Sequence, residues 1–175
     1  MKHYYLLLIP LAILFTGCGV TTSQTGSDNK ASKKEKRAVE FEKTAILVES
    51  GNYIYKVQSA NTGRGKTIQT TSPYSMKVSN GNYEATLPYF GRAHQANLGG
   101  SGGIEFNGTP EDLAITKDTD KHTITTAFSI TNSGEKYNAT LVIGSNGYGT
   151  MTIYSQRRQA ISYYGRISEV EASEK

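Results

Sequence analysis

The chain has 175 residues, a formal net charge of +4, twelve tyrosines, no tryptophan and a single cysteine. One cysteine excludes an internal disulfide, so core packing has to hold the fold. Three histidines without Cys/His spacing exclude the common structural zinc modules. The length suits one domain around one core.

Lys2 precedes an apolar run from Tyr4 to Phe15. That run falls short of the roughly 20 residues a spanning helix needs. A positive start, a short apolar stretch and small residues after it describe a secretory leader. Leu14-Phe15-Thr16-Gly17-Cys18 resembles the bacterial lipobox, with Phe15 where Leu, Val or Ile is usual. The resemblance implies cleavage before Cys18, removal of residues 1–17 and diacylation of the Cys18 thiol. It places the protein in the cell envelope, attached to a membrane through its lipid. Gly19 in place of Asp after the cysteine favours the outer membrane. A thioether at Cys18 is closed to redox and metal chemistry. Loss of Lys2 leaves 18 basic against 15 acidic side chains, a net +3.

Residues 18–31 read as a flexible tether, since Gly19 to Ala31 is polar and carries no apolar period. Much of the positive charge lies between Lys30 and Arg37. It is either a solvated linker and helix start or a surface for anionic headgroups. Ser32-Lys33-Lys34-Glu35 has capping-box spacing, in which the Ser hydroxyl and Glu carboxylate satisfy amides at a helix start. Ala38, Phe41, Ala45 and Val48 form one apolar stripe, and Gly51 is a stop. These signals predict a helix over 32–50.

Beyond Gly51 the apolar period is two residues. Strands are predicted at Tyr53–Ser59, Lys66–Thr71, Tyr74–Ser79, Asn82–Tyr89, Gly103–Phe106, Leu113–Lys117 and His122–Thr131. Further strands follow around Tyr137–Ile143, Met151–Ile153 and Ile161–Ile167. Asn80-Gly81, Asp118-Thr119-Asp120, Ser133-Gly134 and Asn146-Gly147 supply tight turns, and Asn-Gly suits a type I′ hairpin. Short connections and no strand–helix alternation predict an all-β antiparallel meander, closed into a barrel or curled half-barrel to protect its edges. The domain then covers 32–168, with 169–175 a disordered tail.

Three blocks carry a wider likeness: Leu87-Pro88-Tyr89-Phe90-Gly91-Arg92-Ala93, the run Gly99 to Gly108, and Ser155 to Gly165. Glu49-Ser50-Gly51-Asn52-Tyr53 and Tyr74-Ser75-Met76-Lys77-Val78 support them. Together they resemble a bacterial envelope lipoprotein family catalogued as domain of unknown function 4251, over roughly residues 32 to 168. Ala93-His94 stands where that pattern has Ala-Tyr, and Ser155-Gln156-Arg157-Arg158 where it has Ser-Asn-Asn-Arg. The resemblance implies a lipocalin-like barrel behind a leading helix. It implies no catalytic residue.

Several motifs are candidates for chemistry. Gly99 to Gly103 is glycine-rich like a phosphate loop, but no Gly-Lys-Ser/Thr follows, so a loop needing positive φ or close backbone contact is the plainer reading. Tyr89, Phe90, Arg92 and His94, with Arg158, could line a barrel mouth and hold a small ligand or glycan by charge and ring stacking. The competing reading makes Phe90 core, pairs Arg92 with a carboxylate such as Glu105 to brace the glycine loop, and leaves His94 in solvent. Arg157, Arg158 and Arg166 among Tyr163 and Tyr164 could meet nucleic acid, yet an envelope address argues against it, and outer-face arginines on an edge strand are simpler. No base has an evident partner and no converging carboxylate pair is evident, since Glu111 and Asp112 are adjacent. The expectation is a non-catalytic envelope module without cofactor or metal. It either binds a small ligand or glycan or serves as a structural component meeting envelope proteins.

Overall fold

The structure is a computed structural model, and it describes residues 25–62, 65–92 and 102–170, with side chains from Ser32 onward. The leader, Cys18, His94 and Gly99–Ser101 lie outside the described residues. A helix, α1 (Thr25–Glu49), precedes ten strands. These are β1 (Tyr53–Asn61), β2 (Thr67–Gln69), β3 (Ser75–Ser79), β4 (Asn82–Leu87) and β5 (Ile104–Gly108). They continue as β6 (Glu111–Asp118), β7 (Thr123–Asn132), β8 (Glu135–Gly144), β9 (Tyr148–Ser155) and β10 (Ile161–Glu169). No described helix is long and apolar enough to cross a membrane.

The helix begins earlier than its capping box predicts. Residues 25–31, read as tether, are helical, and Ser32 sits inside the element. Lys and Ala are good helix formers, and no proline interrupts before Pro73. The stripe also starts later. Phe41, Thr44, Ala45 and Val48 are buried, whereas Ala38 and the rest of Ser32–Val39 are exposed. At the other end Gly51 takes φ 64 and its amide donates to Val48 O at 3.2 Å, as a left-handed C′ residue does.

All strand pairs are antiparallel, in the order β5-β4-β3-β1-β10-β9-β8-β7-β6, with β2 also on β1. The inward rows alternate as predicted, for example Tyr137, Ala139, Leu141 and Ile143 on β8. Asn80-Gly81 and Ser133-Gly134 take positive φ at both residues, as type I′ turns require; at Asn146-Gly147 only Gly147 does. β1 serves both neighbours on one edge, β3 with its first half and β2 with its second. A bulge between Val57 and Ser59 allows this, and it turns Ala60 inward after Tyr53, Tyr55 and Val57. Opposite, Gly165 and Gly149 are paired beneath the Tyr55 ring. The Tyr55 hydroxyl donates to Tyr163 O at 2.8 Å, with Gly149 O 3.2 Å away.

The sheet is a half-barrel. β5 and β6 do not pair, and the seam is closed by side chains of β5 and β7. Phe106 packs edge-on to Phe128 at 6.2 Å, and Asn132 Nδ2 donates to Glu105 O at 2.7 Å. The concave face is filled by large side chains such as Tyr53, Tyr55, Tyr163, Met76, Leu141 and Met151. Helix α1 covers one end. Phe41 meets His122 edge-on at 5.5 Å, Thr44 Oγ1 donates to Ser145 O at 2.9 Å, and Glu49 pairs with Lys117 at 2.9 Å. The opposite end, formed by the β4–β5, β7–β8 and β9–β10 connections, carries most of the predicted site.

Candidate functional site

The end away from α1 is organised around a buried ion pair. Glu135 opens β8 directly after the Ser133-Gly134 turn and occupies the same inward row as Tyr137. It is 4% exposed, and Arg158, in the β9–β10 connection, is 7% exposed. Arg158 Nε lies 3.3 Å from one Glu135 oxygen and 3.4 Å from the other. Ser155 Oγ donates to Glu135 Oε1 at 2.6 Å and Tyr137 Oη to Oε2 at 2.9 Å. The carboxylate therefore has charge-assisted partners on both oxygens, which a buried charge requires. Burial first, and then the bond to Glu135, pushes the Tyr137 hydroxyl up to about 12.

Arg158 also fixes the loop before β5. Its Nη1 donates to Gly103 O at 2.6 Å, and its guanidinium lies 5.2 Å from the centre of the Tyr89 ring. Two expectations are corrected here. Arg158 is not an outer-face arginine on an edge strand; it is buried beside β8 and β9, well inside the sheet order. The bracing of the glycine loop assigned to Arg92 is performed by Arg158. A guanidinium on the inward side reaches loop carbonyls, whereas the exposed Arg92 contributes its backbone. Arg92 O accepts from Tyr89 Oη at 2.7 Å and from the Gln159 amide at 3.1 Å. Gly91 permits this fold-back, since a Cβ there would lie 2.5 Å from the Tyr89 hydroxyl oxygen and 2.6 Å from the ring carbon that bears it. Burial raises the Tyr89 hydroxyl above its ordinary value.

Phe90 is not core. It is 44% exposed at the rim of an open cleft of about 330 Å³, lined with Tyr74, Pro88, Tyr89, Gly103 and Glu105 among others. Of the five predicted binding residues, the structure gathers Tyr89, Phe90, Arg92 and Arg158 at one end, and His94 lies outside the described residues. Glu135, Tyr137, Ser155 and Tyr74 went unpredicted as members of this end. Glu135 was detectable. It is two residues before Tyr137 on an alternating strand, and so falls on the buried row. Among the described residues no group of three or more His, Cys, Asp and Glu could hold a metal ion. The site offers aromatic faces, backbone carbonyls and one carboxylate, with the deep charges already paired.

A helix-led, curled antiparallel half-barrel with a braced loop at its open end defines the class of this protein. The family model described as domain of unknown function (DUF4251) matches residues 35–167, and the chain belongs to that family. Its fold is similar to the crystal structure of a DUF4251 family protein from Bacteroides eggerthii DSM 20697. That similarity has a TM-score of 0.60 and 18% identity, and covers 78% of this chain and 91% of the other. No curated protein matches the chain.

Proposed function

We propose that this is a lipid-anchored, non-catalytic envelope protein of the outer membrane that holds a small sugar-like ligand in the Tyr89–Phe90 cleft. The observation that carries the reading is the cleft itself. Three aromatic residues, Tyr74, Tyr89 and Phe90, and the Glu105 strand border about 330 Å³ open to solvent. A ring face plus a few polar groups is how a neutral polar ring is recognised. Behind it the Arg158–Glu135 pair holds the loop backbone still, so less ordering accompanies binding. The filled concave face argues against a ligand inside the sheet and moves any site to this rim.

The test is a titration of soluble envelope oligosaccharides followed by tyrosine fluorescence. Phe90→Ala should weaken a binding sugar at least ten-fold and leave the melting temperature within about 2 °C, because the ring lies at the surface outside the core. Binding unaffected by that change would remove the cleft from consideration. Anchoring is tested by Cys18→Ala, which should move the protein from the membrane to the soluble fraction. A second reading, a structural component of the envelope, is supported by the same densely filled interior. Failure of every sugar to bind, with anchoring intact, would favour it.

A further inference from the structure

The outer face of the sheet is divided by charge. Over β1, β3 and β4 it carries Lys56, Lys77 and Glu84, and Arg166 on β10 and Lys136 on β8 stand at opposite borders. Between those borders two rows cross β7, β8, β9 and β10 without a charge. One is Ala127–Thr140–Thr152–Ser162 and the other Thr125–Val142–Thr150–Tyr164, each set by direct cross-strand pairing. Asn138 and Tyr154 extend the same surface toward the β9–β10 connection. Two exposed rings stand on this floor, Tyr164 at 46% and Tyr154 at 54% exposure. Tyr148 stacks on Tyr164 with ring centres 5.8 Å apart and planes at 11°, and the Arg166 guanidinium lies 5.1 Å from the Tyr148 ring centre. Tyr148 is opposite Arg166, beyond Tyr164 on β10, so the stack covers Tyr164 from that side and leaves its other face turned toward Ser162. Tyr164 is opposite Thr150, and from there Tyr154 lies about 13 Å along β9 at roughly 3.3 Å per residue. Between the two rings Thr152 Oγ1 and Ser162 Oγ share a hydrogen bond of 2.9 Å, and each hydroxyl keeps further capacity to accept.

The chemistry of this face selects its occupant. A charged polymer would lose water here with no counter-charge to meet it, so the occupant is neutral. It is also polar. Ala127 and Val142 are the only aliphatic positions in the two rows, too few for the apolar centre of a protein interface. A chain of hydroxylated rings meets both conditions, with its flat C–H faces on tyrosine and its hydroxyls on threonine and serine. We propose that this face binds a neutral polysaccharide, laid along β9 and β10 with one sugar on the open face of Tyr164 and another on Tyr154. The upright Tyr148–Tyr164 stack holds the first ring platform in place before binding, so little ordering accompanies it. The site lies outside the Tyr89–Phe90 cleft and does not rest on it.

The test is depletion of the full chain from solution by insoluble cellulose, amylose and curdlan, in a polyoxyethylene detergent that carries no sugar. Retention on at least one of these is expected, unchanged between about 0.05 and 0.5 M NaCl because no ion pair is involved. Tyr164→Ala and Tyr154→Ala should each lower the bound-to-free ratio about five-fold or more. Thr152→Glu keeps both rings and should lower it about ten-fold or more, because it sets an unpaired charge on the floor. Phe90→Ala should leave the ratio unchanged. Far-UV dichroism of each variant checks that the sheet is intact. Retention on none of the three, retention abolished by salt, or retention indifferent to both tyrosine changes overturns the proposal. Loss with Phe90→Ala alone assigns the polysaccharide to the cleft and also overturns the outer-face site. Self-association of the full chain that Thr152→Glu breaks in sedimentation assigns the face to a second copy, with the same consequence.

Discussion

Removing Arg158 should cost this protein more than any surface charge, because of what is left behind. In Arg158→Met the Glu135 carboxylate keeps Ser155 and Tyr137 as donors but loses its counter-charge at 4% exposure. Breaking a buried pair from one side costs about 3–5 kcal/mol. The reverse change, Glu135→Met, strands a buried guanidinium, for a similar loss. The double variant leaves no buried charge. It leaves the Ser155 and Tyr137 hydroxyls and Gly103 O without their partners, at about 1 kcal/mol each. The two single losses together reach about 6–10 kcal/mol and the double about 3 kcal/mol, so the coupling should be at least about 3 kcal/mol. Urea unfolding of the four proteins, followed by tyrosine fluorescence and far-UV dichroism, measures each term. Additivity within about 0.5 kcal/mol would refute the reasoning, since it would mean that the charges do not depend on each other.

Gly165→Ala should destabilise by more than about 3 kcal/mol, because its Cβ would lie 2.2 Å from Lys56 O in the paired backbone. Gly51→Ala, in open space but at φ 64, should cost only about 1–2 kcal/mol; thermal melts of the two order them. Alkaline stability follows from the tyrosines. Burial raises Tyr137 to about 12 and Tyr53, Tyr55 and Tyr163 further still. A hydroxyl whose folded pKa exceeds its unfolded value stabilises fully below about pH 10 and loses that contribution as pH rises through the folded value. Stability should therefore fall between about pH 10 and 12, and Tyr137→Phe should flatten that fall by up to about 1.4 kcal/mol per pH unit in denaturant titrations. Arg92→Ala should leave the melting temperature unchanged, since its side chain is exposed and only its backbone is used.

Local chemistry in the chain determined the elements. The two-residue period located all ten strands, the glycine at 51 ended the helix, and Asn80-Gly81 and Ser133-Gly134 set two hairpins, because each of these signals acts within a few residues. The likeness in the Leu87–Ala93, Gly99–Gly108 and Ser155–Gly165 blocks was enough to indicate the family. The helix start was misjudged because a capping box is only a local preference, and Lys30 and Ala31 before it favour helix too. What tertiary structure alone decided was pairing across distance. Arg92 and Arg158 are equally basic in sequence, but only Arg158 emerges from β9 on the inward side, where the buried row of β8 presents Glu135. In the same way, β6 alternates like any strand. That it overhangs the seam depends on Phe106 of β5 packing against Phe128 of β7, a contact that joins residues 22 positions apart only after the whole sheet has curled.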